Sequence, residues 1–283
     1  MEEELEQEEQ LESQESVNQE ELFKPTKKGF FTLLLESFKF FTLNLPAIAT
    51  IVLPVFLVVE FLVPLFELVF NPNFAYEFTS WEWFNEWIND GLNWIIKIIT
   101  VEFIRQVIGG IAWIAVIRVI AGAMHGKRIS GVQAMKDGAT MLPMYFVTAA
   151  IYYVLLIVSS FLLIIPGVIF AVYCAFWQYS YVLRGKGAFS ALTYSSSLVK
   201  DDFVRVFLSV VGITIIISIL KYGLVELISG AVAGAIDPDE DLLYDIVNTI
   251  LMALGKILEL GIEIIFFMML FMTLEEENTE THN

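Results

Sequence analysis

Six apolar runs dominate the chain and leave few folds open to it. They cover Pro46–Phe70, Leu92–Ala123, Pro143–Ile165, Val168–Leu183, Phe203–Ser229 and Leu243–Leu274. A helix needs roughly 20 apolar residues to cross about 30 Å of hydrocarbon, and most of these runs approach or exceed that length. Val168–Leu183 is short for a crossing. Hydrophobic residues make up 57% of the 283 residues, above the roughly 45–50% of a soluble domain. The mean hydropathy of +0.70 points the same way. The expected fold class is all-α, a polytopic membrane protein with six transmembrane helices in three hairpins.

Charge sets the boundaries and the orientation. The net charge is −17, and ten of the 33 acids lie in residues 1–22, which contain no Lys or Arg. A Glu/Gln/Ser-rich segment buries too little apolar surface to offset the entropy of ordering. Residues 1–22 are therefore expected as a disordered acidic cytosolic tail, 23–274 as the membrane domain and 275–283 as a short polar tail. The acidic balance argues against nucleic acid as a partner. The acidic start does not fit a cleaved signal peptide, so the first apolar run is expected to serve as the uncleaved insertion signal. Lys24, Lys27, Lys28, Lys39, Arg118, Lys127, Arg128, Lys136, Arg184, Lys186, Lys200 and Arg205 fall on one side, and the opposite connections carry no base. Because positive residues stay cytoplasmic, both termini are expected inside a plasma membrane.

Each hairpin has an amphipathic segment before it. In Gly29–Leu45, Phe31, Leu34, Leu35, Phe38, Phe41 and Leu45 share one helical face, opposite Thr32, Glu36 and Lys39. Val132, Met135, Ala139 and Leu142 mark a second such helix, and Ala188, Ala191, Leu192, Ser195, Leu198 and Val199 a third. This spacing beside basic residues predicts helices lying in the headgroup region. The first two units align, SFKFFTLNLP with AMKDGATMLP; the third lacks the proline. Pro166-Gly167 is read as the tight turn between the third and fourth spans. Residues 71–90 hold Trp81, Trp83 and Trp87 with acids but no base, which suits an outer interfacial loop; a carbohydrate platform is the other reading.

Ionisable groups at membrane depth are costly and mark candidate sites. Counting along the spans puts Glu60 level with Arg105, Glu67 with Lys97, Lys221 with Glu259, and Glu226 near Lys256. Glu102 can share Arg105, and Glu263 has no evident partner. Two readings stand: a polar path for an ion or headgroup, or paired charges that fix helix register. The third and fourth spans carry no charge inside the apolar run. Gly167, Ala171 and Ala175 recur every four residues and suit close helix packing.

No catalytic or cofactor motif is present: no nucleophile elbow, no metalloprotease helix, no phosphate-cradling loop. Cys174 lies alone in an apolar run, and His125 and His282 stand far apart, so no zinc site is expected. Asp201-Asp202 and the acids of Asp237–Asp241 are weak cation candidates. Ser195, Ser196 and Ser197 are read as helix-surface hydroxyls.

Pro166-Gly167, Tyr173, Tyr179, Val182-Leu183, Gly187, Ala191-Leu192, Ser195 and Leu198-Val199-Lys200 carry a resemblance. The stretch from about 125 to 210 resembles the membrane domain found beside glycerophosphoryl diester phosphodiesterases, and related six-span bacterial membrane proteins. The resemblance implies a structural motif; the His-Arg-Gly start and acidic metal cluster of the phosphodiesterase itself have no counterpart here. The expected function is a non-enzymatic accessory or lipid-associated membrane component. Its partners would be the bilayer and a membrane protein or a second copy of the chain, with no cofactor. The alternative is a small transporter or lipid-translocating protein using the charged first/second and fifth/sixth spans. A reporter fused after Asn283 is expected to be active only in the cytosol; external activity would overturn the topology.

Overall fold

The computed structural model describes residues 29–69, 81–162, 164–233 and 241–281, with the side chains of most of them. The expected acidic tail 1–22, residues 71–80 of the aromatic loop and 234–240 of the acidic loop lie outside the described residues. Eight helices carry the described chain: α1 Phe30–Val69, α2 Glu82–Met124, α3 Gly131–Leu162, α4 Ile164–Tyr173, α5 Trp177–Arg184, α6 Phe189–Val199, α7 Phe203–Ala233 and α8 Asp241–Thr281. No strand occurs among the described residues. Five helices are long and apolar enough to cross a membrane: Phe30–Val59, Gly131–Ser160, Ile165–Arg184, Phe203–Gly223 and Thr249–Thr279. A shorter apolar stretch, Ile108–Met124, closes α2.

α8 is the helix the others pack around. It contacts α1, α2, α6 and α7, and 78% of its apolar window is buried, against 17–44% in the other four. The reason is its composition. From Ile262 to Leu274 it is apolar on all sides save for Glu263 and Thr273, and a helix apolar all round belongs inside. Gly261 lets α1 come close, since a Cβ there would stand 2.4 Å from a ring carbon of Phe41. Phe266 and Phe271 are fully buried in this core with Phe176 and Tyr179.

Several expectations change. The first interfacial segment and the first span form one helix, α1, which runs through Pro46, Pro54 and Pro64. A proline leaves a helix carbonyl without its donor. Around Pro46, polar side chains bond other carbonyls of the same helix: Asn44 Nδ2 donates to Phe40 O at 2.9 Å and Thr50 Oγ1 to Ala47 O at 2.8 Å. The second segment likewise merges with the third span in α3, with Pro143 inside. The structure also shows which side of each merged helix faces the protein. On α1 the buried set is Leu33, Ser37, Phe40, Phe41, Asn44 and Ile48, whereas Phe31 and Leu35 point outward at 74% and 70% exposure. On α3 it is Ala134, Gly138 and Tyr145; Val132 and Ala139 are exposed. Helix contacts in a membrane protein favour small and hydrogen-bonding residues, and Ser37, Asn44, Ala134 and Gly138 take such places beside the larger apolar side chains.

The fourth apolar run is two helices, α4 and α5, joined by a turn at 174–176. Pro166 and Gly167 lie within the first turn of α4, where a proline's missing N–H costs nothing. Gly167 serves packing: a Cβ would meet Ser160 Oγ at 2.2 Å, so α4 lies directly on α3. The break at 174–176 exposes backbone groups inside an apolar core. Ser195 on α6 closes it. Its hydroxyl accepts from Phe176 N–H at 3.0 Å and donates to Tyr173 C=O at 2.9 Å. Ser195 is thus fully buried, not a surface hydroxyl. Of the rest of the face expected from spacing, Ala191, Leu192, Leu198 and Val199 are buried, and Ala188, just before the helix, is half-buried. Ser195→Ala leaves the Phe176 N–H unpaired, at an expected cost of about 1–3 kcal/mol. A lower midpoint of thermal unfolding in detergent checks this; an unchanged midpoint would sink the bridging role.

Candidate functional site

Charges in so apolar a chain need partners, and the described ones gather in clusters between helices. One cluster ties the last turns of α8 to α5, α6 and α7. α5 ends in a left-handed glycine: Gly185 has φ +63°, its N–H donates to Tyr181 C=O, and Lys186 N–H reaches Ser180 C=O. This paired closure satisfies the helix end and sends the chain back. Arg184 thereby faces Glu275 in a fork, Nε to Oε1 at 2.9 Å and Nη2 to Oε2 at 2.5 Å. The Tyr194 hydroxyl donates to Glu275 Oε1, the oxygen that Arg184 Nε also reaches, and Lys186 Nζ sits 4.6 Å from the Tyr194 ring centre. Burial, and then the Glu275 carboxylate, push the Tyr194 phenol up to about 12. Nearby, Arg205 Nη1 pairs with Glu277 Oε2 at 2.8 Å and reaches Asp202 at 3.9 Å. Two open grooves of about 870 and 900 Å³ flank this cluster, and Lys200 and Asp201 line both.

The chain between these groups is anchored from α3. After Gly187 the backbone turns through Ala188, whose φ of +50° is unusual for a residue with a side chain. Its N–H donates to Thr148 Oγ1 at 2.9 Å. Gln178 donates to the Tyr145 hydroxyl at 2.7 Å, and the Tyr181 hydroxyl donates to Met141 C=O at 2.6 Å. Tyr179 reaches Ile264 C=O of α8 at 3.3 Å.

The second cluster joins α7 and α8. Glu259 Oε2 accepts from Lys221 Nζ at 2.8 Å and from Lys256 Nζ at 3.2 Å. Sixteen residues of α7 separate Lys221 from Arg205, about 24 Å of helix. Eighteen residues of α8 separate Glu259 from Glu277, about 27 Å. Between the clusters α7 has no charged residue, and α8 has only Glu263. Two ionic layers on this helix pair therefore stand nearly one hydrocarbon thickness apart, about 30 Å.

Of the site residues read from sequence, Lys221, Lys256 and Glu259 come together. Lys221 meets Glu259 as their equal depth implies, and Lys256 reaches Glu259 as well. Glu263 lies one turn further along α8, half-buried, and no ion pair joins it to another described residue. The side chains of Glu60, Glu67, Lys97, Glu102, Arg105 and Glu226 lie outside the described residues. Of the cation candidates, Asp202 faces Arg205, and 237–240 lie outside the described residues. Among the motif residues, Tyr173, Tyr179 and Ser195 hold backbone together as above, Pro166 and Gly167 start α4, and Ala191 and Leu192 fill the core.

Sequence reasoning missed Glu275, Glu277 and Tyr194, because residues 275–281, expected in a tail, continue α8. It also missed Arg118, which pairs with Asp137 at 2.8 Å between α2 and α3. Their signal was present as charge complementarity: Glu275 and Glu277 are spaced to meet Arg184 and Arg205. Comparison with protein-family models, with curated proteins and with solved structures finds no match.

Tyr194 supplies a pH test. Its folded-state pKa lies above the unfolded value, so the stability it contributes is present below about pH 10 and fades as pH rises toward 12. Wild type is expected to lose thermal stability over that window more steeply than Tyr194→Phe. Glu275→Gln is expected to bring Tyr194 ionisation down toward 10, read by difference absorbance near 295 nm against Tyr194→Phe. No change in that titration would exclude the Glu275 contact.

Proposed function

We propose that this chain is a six-span, multi-pass plasma-membrane protein with both termini cytoplasmic, acting as a non-enzymatic accessory or lipid-associated component. The observation that carries the reading is the pairing of charge into two layers on the α7–α8 pair, Arg205–Glu277 at one end and Lys221–Glu259 part-way along both helices, with an almost uncharged band between them. Such ionic pairs act as staples: each fixes register between helices. Outward apolar residues along several helices, Leu57, Ile157, Ile215, Ile219 and Leu254 among them, suit lipid contact. The sixth span is the α2 segment that ends in Ile108–Met124. The resemblance to membrane domains that accompany lipid-related phosphodiesterases supports the same class of role.

A transport or lipid-translocating role is the second reading, and Glu263 favours it. A carboxyl on the central helix, without an ion pair among the described residues, could carry a proton or bind a cation. Reconstitution separates the two. Liposomes holding purified protein are expected to match empty liposomes in ion flux and in dithionite-monitored lipid flip. Flux or flip above background that Glu263→Gln abolishes would establish transport and overturn the accessory reading.

A further inference from the structure

We propose that the groove between α1 and the start of α7 holds one phospholipid with a zwitterionic headgroup, its phosphate on Lys200 and its ammonium on Asp201. This deepens the lipid-associated reading and rests on α7 being a membrane span. The groove measures about 900 Å³, within the roughly 300–1,000 Å³ of small-molecule sites. Its sides are apolar, with Phe30 and Leu33 from α1 and Val204 and Leu208 from α7. Phe30 lies against Gly212, where a Cβ would stand 2.8 Å from the ring, so α1 closes directly onto α7. The mouth is charged, lined by Lys200, Asp201, Asp202 and Arg205.

These four charges fall into two pairs. Arg205 and Asp202 are engaged, with each other and, for Arg205, with Glu277. Lys200 and Asp201 are exposed, and neither enters an ion pair among the described residues. A cation and an anion side by side carry no net charge, and a headgroup with both a phosphate and an ammonium complements them. A headgroup with a phosphate alone would bring its charge against Asp201 uncompensated. The chain itself sets the level of this mouth. Residues 200–202 are not helical, and both α7 and its apolar run start at Phe203. On the other side of the turn, α6 exposes Ser190, Thr193 and Ser197. The turn therefore stands where an apolar span meets a polar surface, the level of a headgroup. From there Val204, Leu208, Val211, Ile215 and Ile219 form one exposed apolar stripe on α7. Fifteen residues separate its ends, about 22 Å of helix, more than the roughly 15 Å of hydrocarbon in one leaflet. A soluble zwitterion would use the two charges and leave the apolar walls and stripe unused; a lipid uses all three.

The test uses full-length protein in detergent micelles containing phosphatidylethanolamine and phosphatidylglycerol, with bound lipid read by native mass spectrometry. Wild type is expected to retain phosphatidylethanolamine over phosphatidylglycerol. Lys200→Gln is expected to lose about fivefold in retention, the upper end for one exposed ion pair, and Lys200→Arg to keep it. Asp201→Asn is expected to turn the preference toward phosphatidylglycerol. Neither side chain joins two described helices, so the variants stay folded, which unchanged unfolding midpoints confirm. Equal retention by wild type and Lys200→Gln would overturn the site, and equal retention of the two lipids by wild type would overturn the zwitterionic assignment. A photoreactive side chain in place of Val204 reports the occupant: a crosslink to lipid supports the site, and a crosslink to residues 1–28 or to a second copy of the chain overturns it. Release of the protein from membranes by alkaline carbonate would overturn the span reading, whereas loss of the lipid site alone leaves that reading standing.

Discussion

The fold depends on burying α8 on all its sides. From Ile262 to Leu274 it offers no polar stripe to water, so it holds its place only while other helices surround it. α1, α2, α6 and α7 do so. Gly261 admits Phe41, and the rings of Phe176, Tyr179 and Phe271 pack together against it, with centroids 5.9–6.3 Å apart. The chain's last apolar run is thus its centre, and the Leu162–Phe203 stretch, which carries the family-like residues, is a strap across it.

That strap shows how an apolar interior governs polar detail. A break between α4 and α5 would leave Phe176 N–H and Tyr173 C=O unsatisfied in an apolar interior, at a cost of about 1–3 kcal/mol per group. Ser195 answers both with one hydroxyl. Thr148 does the same for Ala188 N–H, at a backbone conformation that needs holding. The same logic explains the charges. Arg184, Arg205, Lys221, Glu259, Glu275 and Glu277 cross between helices to meet, and among the described residues the apolar stretches of α7 and α8 between the two clusters hold no ion pair.

Which expectations held and which changed follows from the surroundings of each segment. α6 lies outside the long apolar runs and has a polar side. There the spacing of apolar residues marked the face that is buried, while the burial of the Ser195 hydroxyl within it follows only from the broken backbone it bridges. For α1 and α3 the spacing marked an apolar stripe meant for the headgroup region and did not show which side meets protein. A helix in lipid has apolar residues on its outer face too, and the protein face here mixes Leu33, Phe40 and Ile48 with Ser37, Asn44, Ala134 and Gly138. Phe31 and Leu35, on the expected stripe, point away from the protein.

The sequence by itself determined the class of protein: long apolar runs make helices that need an apolar medium, and that follows from length and composition alone. It also determined the matching of Lys221 with Glu259, because equal depth on adjacent antiparallel helices brings opposite charges together. Only the tertiary structure decided which helix is central, which face of α1 and α3 is inside, and that Glu275 and Glu277 belong to a helix rather than a tail. These depend on who packs against whom. In a chain where nearly every surface is apolar, hydrophobicity no longer distinguishes neighbours, and steric fit and hydrogen bonding do.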